Sequence, residues 1–335
     1  MRLRSFHQAL PPESLEEDAT TVAYFRGAFV PLREAKVSIL THAFLFGTAV
    51  FEGIRGYCDP ESREVYLFRL RDHYERMRRS GHILKIKLPH APEELSRLTC
   101  ELVRRNGYRE DCYVRAVAYK SGLQIGLRLD DLDDFTMFAL PQGRFFGDNP
   151  AVSACVTSWR RVEDNAVPAR GKIQGAYVNS ALAMTEALDN GFNDAILLTE
   201  DGHVSEGSGM NLFLVRGGRL YTPPRSENIL EGITRETVFE LARRELGVEV
   251  VERRIDRSEL YTADELFFCG TGVEIVPISS VDRRPVGEGS AYPVARKLAA
   301  VYREAASGRR ADYREYITPV YEDAGEGAER AGAQD

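Results

Sequence analysis

The stretch GRFFGDNP, residues 143–150, divides this chain of 335 residues into two halves. A segment dense in glycine, proline and aspartate is typical of a connector between folded parts. Upstream of it, CYVRAVAYK at 112–120 and FTMFALP at 135–141 predict two strands. Downstream of it, VSACVTSW at 152–159 predicts another strand. Because a chain of this length can bury two modest cores, the sequence predicts two domains.

Both halves mix helical and strand patterns, which favours an α+β fold. In the first half, helices are predicted at 69–82 and 91–106. The second half contains two dipeptides typical of hairpin turns, Asp201-Gly202 and Gly217-Gly218. It also contains a predicted helix at 176–190, whose expected core positions are Val178, Ala181, Leu182 and Leu188.

We expect five parts along the chain. These are an N-terminal arm at 1–20, a smaller domain at 21–145, a linker at 146–151, a larger domain at 152–320 and a tail at 321–335. The tail is expected to be disordered because it is polar and rich in small residues.

The composition excludes several classes of function. A net charge of -7, with 43% hydrophobic and 28% charged residues, is that of an ordinary globular protein and does not favour nucleic-acid binding. No apolar run approaches the roughly 20 residues that a membrane-spanning helix needs, and the N-terminus does not resemble a signal peptide, so we expect a cytoplasmic protein. The five cysteines form no CxxC pair and the six histidines form no ligand cluster. We therefore expect reduced thiols and no metal site.

Lysine is rare in this chain, and one lysine has unusual surroundings. Only six of the 44 basic residues are lysines. Arginine cannot form an imine, so each remaining primary amine is a candidate for chemistry. Lys172 lies in an irregular segment, RRVEDNAVPARGKIQGAYVNS, between a predicted strand and a predicted helix. Taken alone, such a lysine is more often a solvated surface charge, so its neighbours have to be weighed.

Three further segments could bind an anionic or flat ligand. In LEGITRETV, Gly232 precedes a helix start, where unpaired backbone amides favour an anion. In FFCGTGVEI, residues 270–272 can present backbone N–H groups to an anion. In DGHVSEGSGMNLF, Glu206 lies among small residues that would let a flat ligand approach its carboxylate. Each segment alone is also compatible with a simple helix cap, turn or bend.

Together these segments resemble the branched-chain aminotransferases, which are fold-type IV enzymes that depend on pyridoxal phosphate. The longest matching stretch is THAFLFGTAVFEGIRGY at 41–57. The others are FRLRDHYERM, CYVRAV, GAYVN after Lys172, SEGSGMNLF, LEGITRE and CGTGVEI, in the family's order. The resemblance covers about residues 21–320. It implies a two-domain α+β fold of the D-amino acid aminotransferase type, with a smaller N-terminal α/β domain and a larger, β-rich C-terminal domain with helices.

The resemblance implies a role for each residue around the cofactor. Lys172 would bind pyridoxal phosphate as a Schiff base and would move a proton between the substrate and the cofactor. Glu206 would pair with the pyridine nitrogen, and Tyr177 would hydrogen-bond the phenolic oxygen of the ring. The phosphate would be held by Arg69, Ile233, Thr234 and Thr271.

The resemblance also implies how substrates are chosen. Tyr113 and Arg115 lie two apart in a predicted strand, so both side chains point to one face, and Arg115 would receive the distal carboxylate of glutamate. Some relatives carry a tryptophan where this chain has Gln142, so the ranking among leucine, isoleucine, valine and aromatic substrates stays open. The α-carboxylate would lie on the turn of Thr271, Gly272 and Val273, and an apolar pocket would be lined by Phe46, Phe51 and Phe145.

The implied reaction transfers the amino group of L-leucine, L-isoleucine or L-valine to 2-oxoglutarate in a ping-pong cycle between pyridoxal and pyridoxamine phosphate. Alternatives are a D-amino acid or amine transaminase of the same fold, an aminodeoxychorismate-lyase-like enzyme, and a binding protein without cofactor. The Tyr113-x-Arg115 pattern and VFEGIRGY argue against the other enzymes. The resemblance further implies a homodimer or higher homo-oligomer, in which the loop KSGLQIGLRLDD at 120–131 reaches the partner's active site.

Overall fold

The computed structural model describes residues 11, 13–14, 18, 20–147, 151–289 and 291–322. Two compact units are present: one runs up to Phe145 and takes in the chain again from Glu304, and the other is Phe146–Arg303. Most of the predicted N-terminal arm, residues 148–150 of the predicted linker and the predicted tail from residue 323 lie outside the described residues.

The first unit contains an antiparallel sheet of seven strands. They are β1 (Val22–Phe25), β2 (Ala28–Pro31), β3 (Ala49–Cys58), β4 (Val65–Phe68), β5 (Cys112–Lys120), β6 (Asp133–Pro141) and β16 (Ile317–Pro319). Their order in the sheet is β16-β4-β3-β5-β6-β1-β2. In the central pair, Glu52 lies opposite Ala116 and Gly53 opposite Arg115. Since side chains alternate along a strand, these pairs belong to opposite faces of the sheet.

The helices of the first unit are α1 (His42–Phe46), α2 (Leu70–Ile83) and α3 (Pro92–Arg105). Of these, α2 and α3 pack on the face of the sheet that carries Glu52. The buried Tyr74 of α2 and Thr99 of α3 hydrogen-bond each other and contact the sulfur of Met137 in β6. The predicted helices at 69–82 and 91–106 are thus confirmed. The opposite face of the sheet carries Tyr113 and Arg115.

The C-terminal strand does not match the expected domain boundary at residue 320. Ile317 of β16 pairs with Phe68 of β4, so this strand belongs to the sheet of the first unit. The backbone amides of Val320 and Tyr321 both donate to the carboxylate of Glu64, at 2.9 Å. A strand of three residues carries too short a pattern for its distant partner to be predicted.

The second unit contains a mixed sheet. Its strands are β7 (Val152–Arg160), β8 (Asp194–Leu198), β9 (Val204–Gly207), β10 (Asn211–Arg216), β11 (Arg219–Thr222), β12 (Val250–Glu252), β13 (Glu265–Gly270), β14 (Glu274–Val281) and β15 (Arg284–Pro285). Their order is β12-β11-β10-β13-β14-β7-β8-β9, with β15 paired to β14. The strand pairs β14–β7, β7–β8 and β11–β12 are parallel. The other hydrogen-bonded neighbours in this sheet are antiparallel. The hairpins predicted at Asp201-Gly202 and Gly217-Gly218 are confirmed as β8–β9 and β10–β11.

The helices of the second unit are α4 (Tyr177–Asp189) and α5 (Ile233–Leu241), and α6 (Pro293–Ala306) runs across the division after Arg303. The core positions predicted for α4 are wrong, because Val178, Leu182 and Leu188 are 65%, 40% and 46% exposed and Ala181 is exposed as well. Instead α4 packs on the sheet through small residues, among them Ala183 and Ala187.

Within the described part of the chain, none of the helices has the length and apolar character that crossing a membrane requires.

Candidate active site

Lys172 and Tyr177 are in direct contact in the second unit. Lys172 lies in the irregular segment after β7, and Tyr177 is the first residue of α4. A 3₁₀ turn at Gln174–Ala176 connects them, so the chain folds back within five residues. The Lys172 ammonium donates a hydrogen bond of 2.7 Å to the Tyr177 hydroxyl. A primary amine and a phenol, both half-buried, are therefore held next to each other.

Glu206 is a buried carboxylate near the end of β9, with donors on both oxygens. Its Oε1 lies 2.9 Å from a guanidinium nitrogen of Arg161. Its Oε2 accepts hydrogen bonds from the Asn211 side chain at 2.9 Å and from the Leu230 amide at 3.1 Å. Burial raises the pKa of Glu206, while Arg161 and the Leu230 amide oppose that rise. A further hydrogen-bond donor beside Glu206 would therefore favour the ionised form of its carboxylate.

Asn211 links Glu206 to the start of α5. Besides donating to Glu206, its side-chain amide donates to the Leu230 carbonyl at 3.0 Å. A Cβ on Gly232 would lie 2.0 Å from the Asn211 side-chain oxygen, so a larger residue there would displace the Asn211 amide. Gly232 is the N-cap of α5 and has no side chain with which to cap the amides that follow. The buried residues Ile233 and Thr234 thus begin a helix whose N-terminus favours an anion.

The turn of Thr271, Gly272 and Val273 connects β13 to β14. It is close to the loop that follows Glu206, because a Cβ on Gly270 would lie 3.7 Å from the Gly209 carbonyl oxygen. Glu274, at the far end of the turn, has a φ of 62° and pairs with Arg303 at 3.0 Å. The second unit therefore brings one of the predicted anion-binding turns close to the loop that follows Glu206.

Tyr113 and Arg115 lie on one face of the sheet in the first unit, with Phe51. The Arg115 guanidinium lies 4.4 Å from the ring centre of Phe51 and 5.3 Å from that of Tyr113. A Cβ on Gly53 would come within 1.9 Å of the Tyr113 hydroxyl, so the glycine makes room for the phenol. The guanidinium is thus oriented between two aromatic rings.

The other predicted residues of the first unit lie at ends of elements. Arg69 separates β4 from α2 and is half-buried. Phe46 ends α1, is 40% exposed and packs on His42 with ring centres 4.8 Å apart. Phe145 is half-buried in a turn after β6. The structure brings Tyr113, Arg115 and Phe51 together in this unit, whereas Phe46 is not grouped with them within the described part of the chain.

The sequence patterns missed Arg161, Asn211 and Gly53. Arg161 lies far from Glu206 in the chain, and one arginine among many carries no pattern that predicts its partner. Asn211 had a usable signal, since a polar residue opens the otherwise apolar strand NLFLV. Gly53 also had one, because a glycine inside a strand often marks the close approach of another group.

Comparison with known proteins identifies the family. Residues 49–281 match the family model for amino-transferase class IV. An Aquifex aeolicus protein named "Probable branched-chain-amino-acid aminotransferase" is 44% identical over 90% of this chain and 97% of its own length. The crystal structure of a branched-chain aminotransferase from Thermoproteus uzoniensis with norvaline superposes with a TM-score of 0.86, at 44% identity over 90% of this chain and 99% of that one.

A second crystal structure carries a ligand derived from the cofactor. It is a branched-chain amino acid aminotransferase from T.th., in complex with N-(5'-phosphopyridoxyl)-L-glutamate. It has a TM-score of 0.85 and 42% identity, covering 90% of this chain and 99% of that one. The chain therefore belongs to the class IV aminotransferases and, within that class, to the branched-chain-amino-acid aminotransferase family.

Proposed function

We propose that this protein transfers the amino group of L-leucine, L-isoleucine or L-valine to 2-oxoglutarate, using pyridoxal phosphate bound at Lys172, in the cytoplasm. The observation that carries the proposal is the contact between the Lys172 amine and the Tyr177 phenol, in the same unit as the buried Glu206. The relatives named after this reaction, and the glutamate adduct bound by one of them, support it.

The residues of the second unit fit the cofactor. Pyridoxal phosphate supplies an aldehyde that links to an amine and a ring that takes up electrons from the substrate Cα. The Glu206 carboxylate would accept a hydrogen bond from the protonated nitrogen of the ring, and the Tyr177 hydroxyl would donate one to the ring oxygen. The start of α5 at Ile233 and Thr234, together with Thr271, would bind the phosphate through N–H and hydroxyl groups. From the resemblance in FRLRDHYERM, Arg69 would bind the same phosphate.

Lys172 would move the proton at the substrate Cα. Its amine is half-buried and hydrogen-bonded to Tyr177, so the nitrogen has a defined position from which to accept and return that proton. A neutral amine is the form that accepts a proton, so Lys172 would act as the base in its unprotonated form.

The substrate groups would be bound at two places. Arg115, oriented between Phe51 and Tyr113, would receive the distal carboxylate of glutamate, while the turn of Thr271, Gly272 and Val273 would receive the α-carboxylate. Phe46, Phe51 and Phe145 would offer apolar surface to a branched side chain.

A lysine substitution tests the reaction. The visible absorbance of bound pyridoxal phosphate should change when leucine is added to the purified protein, and it should recover with 2-oxoglutarate. Lys172→Ala should lower turnover by at least about 10³-fold, because the proton-moving amine is lost. Lys297→Ala is the matched control, since Lys297 is an exposed lysine whose ammonium donates to the Glu245 carbonyl. Leucine turnover at the parental rate in Lys172→Ala would refute the proposal.

The role of Arg115 is tested by comparing two amino donors. In Arg115→Leu, the rate with glutamate should fall about 100-fold, because a charged hydrogen-bonded contact is lost, and the rate with leucine should change far less. Arg105→Leu is the control, as Arg105 also lies over an aromatic ring, that of Phe29, at 4.5 Å. Equal losses with glutamate and leucine would contradict this role.

We also propose that the protein is a homodimer or higher homo-oligomer. The loop after β5 exposes Leu123, Ile125 and Leu127 by 62%, 82% and 77%. Leu123 is bridged to Thr41, the residue before α1, and Phe44 within α1 is 65% exposed. An exposed apolar surface of this kind is typical of a protein interface. Ile125→Asp should therefore shift the sizing profile to smaller species, with Val251→Asp as control, and a fully active parental monomer would rule the assembly out.

A further inference from the structure

A fully buried ionic cluster lies between α2 and β3 in the first unit. The Glu52 carboxylate accepts hydrogen bonds from Arg76 on both oxygens, at 2.7 and 2.6 Å. It also accepts one from the His73 imidazole at 2.7 Å. The three side chains are at most 5% exposed.

Arg69 occupies an unusual backbone conformation just before α2. Its φ is 52°, in the left-handed region that non-glycine residues rarely adopt. Such a conformation persists when the surroundings hold it, and it is enriched at functional sites. Tyr316, near the C-terminal end of the described chain, contacts Arg69 in two ways. Its carbonyl accepts a hydrogen bond from the Arg69 backbone amide at 2.6 Å, and its ring centre lies 4.7 Å from the Arg69 guanidinium.

His73 connects Arg69 to the buried cluster. Its backbone amide donates to the Arg69 carbonyl at 3.1 Å, and its imidazole donates to Glu52. His73 therefore connects the first turn of α2 to β3 through its side chain, and it contacts the Arg69 backbone through its amide. Asp72, in the same turn, pairs with the Arg69 side chain.

We propose that His73 is a positioning residue for Arg69, and that Glu52 and Arg76 hold it so that the Arg69 guanidinium is prealigned for the phosphate of the cofactor. The inference rests on the proposed function, in which Arg69 binds that phosphate. A buried ionic cluster is weak evidence for stability alone, because apolar residues of similar volume often serve a core as well. Fixing one geometry for a binding group is a use that apolar packing serves less well.

The test compares two ligands that differ only in the phosphate. The full chain, stripped of cofactor, is titrated with pyridoxal phosphate and with pyridoxal, and the ratio of the two dissociation constants is the readout. His73→Leu should reduce the preference for the phosphorylated ligand about tenfold, as expected when a binding group is misplaced by a fraction of an ångström to an ångström. His73→Asn keeps an N–H donor toward Glu52 and should restore most of the ratio.

A matched control separates positioning from loss of stability. Tyr74→Phe removes a buried hydrogen bond to Thr99 from the same helix without touching the Arg69–His73–Glu52 connection. It should lower the unfolding temperature and leave the ratio unchanged. If His73→Leu does not fold, Glu52→Gln carries the same test with little change of volume.

The outcomes distinguish the inference from the proposed function. A parental ratio in His73→Leu or Glu52→Gln, or an equal loss in Tyr74→Phe, overturns the positioning role. Arg69→Ala should abolish most of the preference. If Arg69→Ala changes the ratio and the cluster variants do not, only the inference fails; if Arg69→Ala leaves it unchanged, the phosphate role of Arg69 fails as well.

Discussion

Glu52 in the first unit and Glu206 in the second are both buried carboxylates, and their surroundings drive their pKa values in opposite directions. Burial alone would raise the pKa of Glu52, but Arg76 and His73 outweigh it and lower the pKa to about 2. For Glu206, burial is the larger effect and the pKa is raised, although Arg161 opposes it. The surroundings of Glu52 strongly favour its charged form, whereas those of Glu206 favour the charged form less.

The difference follows from how the donors are arranged. Arg76 donates to both oxygens of Glu52, and the His73 imidazole donates to one of them as well. Arg161 contacts one oxygen of Glu206, and neutral amides of Asn211 and Leu230 contact the other. A carboxylate surrounded by charges is suited to hold a structure, whereas one with neutral donors on one side gains from a cationic ligand.

The comparison predicts that loss of the Glu206 charge has the largest effect, and on catalysis. Glu206→Gln should lower turnover by a factor on the order of 10³, since the group that would keep the cofactor ring able to take up electrons becomes neutral. Steady-state rates with leucine and 2-oxoglutarate, at saturating pyridoxal phosphate, measure this. The fold should be retained, because a glutamine can still accept from Asn211 and Leu230.

The control for Glu206 is its neighbour on the same strand. Ser205→Ala removes a buried hydrogen bond of 2.6 Å to the Glu227 carbonyl and should change turnover by no more than a few-fold. Similar losses in Ser205→Ala and Glu206→Gln would mean that turnover follows the integrity of β9 and not the Glu206 charge.

Glu52→Gln should act mainly on stability, and in a pH-dependent way. The folded-state pKa of about 2 lies below the ordinary value of 4.5. The stabilisation is therefore present above pH 4.5 and is lost as the pH falls through about 2. Glu52→Gln should cost about 3 kcal/mol at neutral pH, and the difference from the parent should shrink in acid, at about pH 3. Denaturant unfolding at both pH values, with Tyr74→Phe as a pH-independent control, checks this; a constant difference would contradict it.

The sequence predicted what local patterns specify. The dipeptides Asp201-Gly202 and Gly217-Gly218 specify their hairpins through their own turn chemistry. Lys172 and Tyr177 could be expected to face one ligand because five residues separate them. Both cases depend on contacts between residues close in the chain.

The sequence did not predict what depends on a distant partner. The pairing of Arg161 with Glu206 requires knowing that the end of β7 passes β9. The exposed face of α4 shows the same limit, because a periodic apolar pattern identifies a face without saying what covers it. That pattern predicts Val178 and Leu182 in the core of the unit, whereas Ala183 and Ala187 occupy it.

Asp194 extends the comparison to a buried carboxylate that has no cationic partner within the described residues. Its Oδ1 accepts from the amides of Ala195 and Ser208, and its buried Oδ2 has no hydrogen-bond partner within the described residues. Burial raises its pKa from 3.8 to about 6, although the Ser208 side chain and the amides of Ala195 and Ser208 oppose that rise. The contribution to stability is therefore present below pH 3.8 and is lost as the pH rises through about 6, so ionised Asp194 destabilises the protein in mildly alkaline solution.

Asp194→Asn should consequently stabilise the protein at about pH 8 and not at about pH 4. The pKa shift sets an upper limit of about 3 kcal/mol, but the new amide would bury an N–H pair in place of Oδ2, so we expect a net gain of about 1 kcal/mol. Unfolding curves at the two pH values measure it. Asp201→Asn, at the exposed tip of the same hairpin, keeps a favourable Asn-Gly turn and should give no gain in alkaline solution. A loss of stability in Asp194→Asn under alkaline conditions would contradict the prediction, because it would show that ionised Asp194 is not a net cost to this unit.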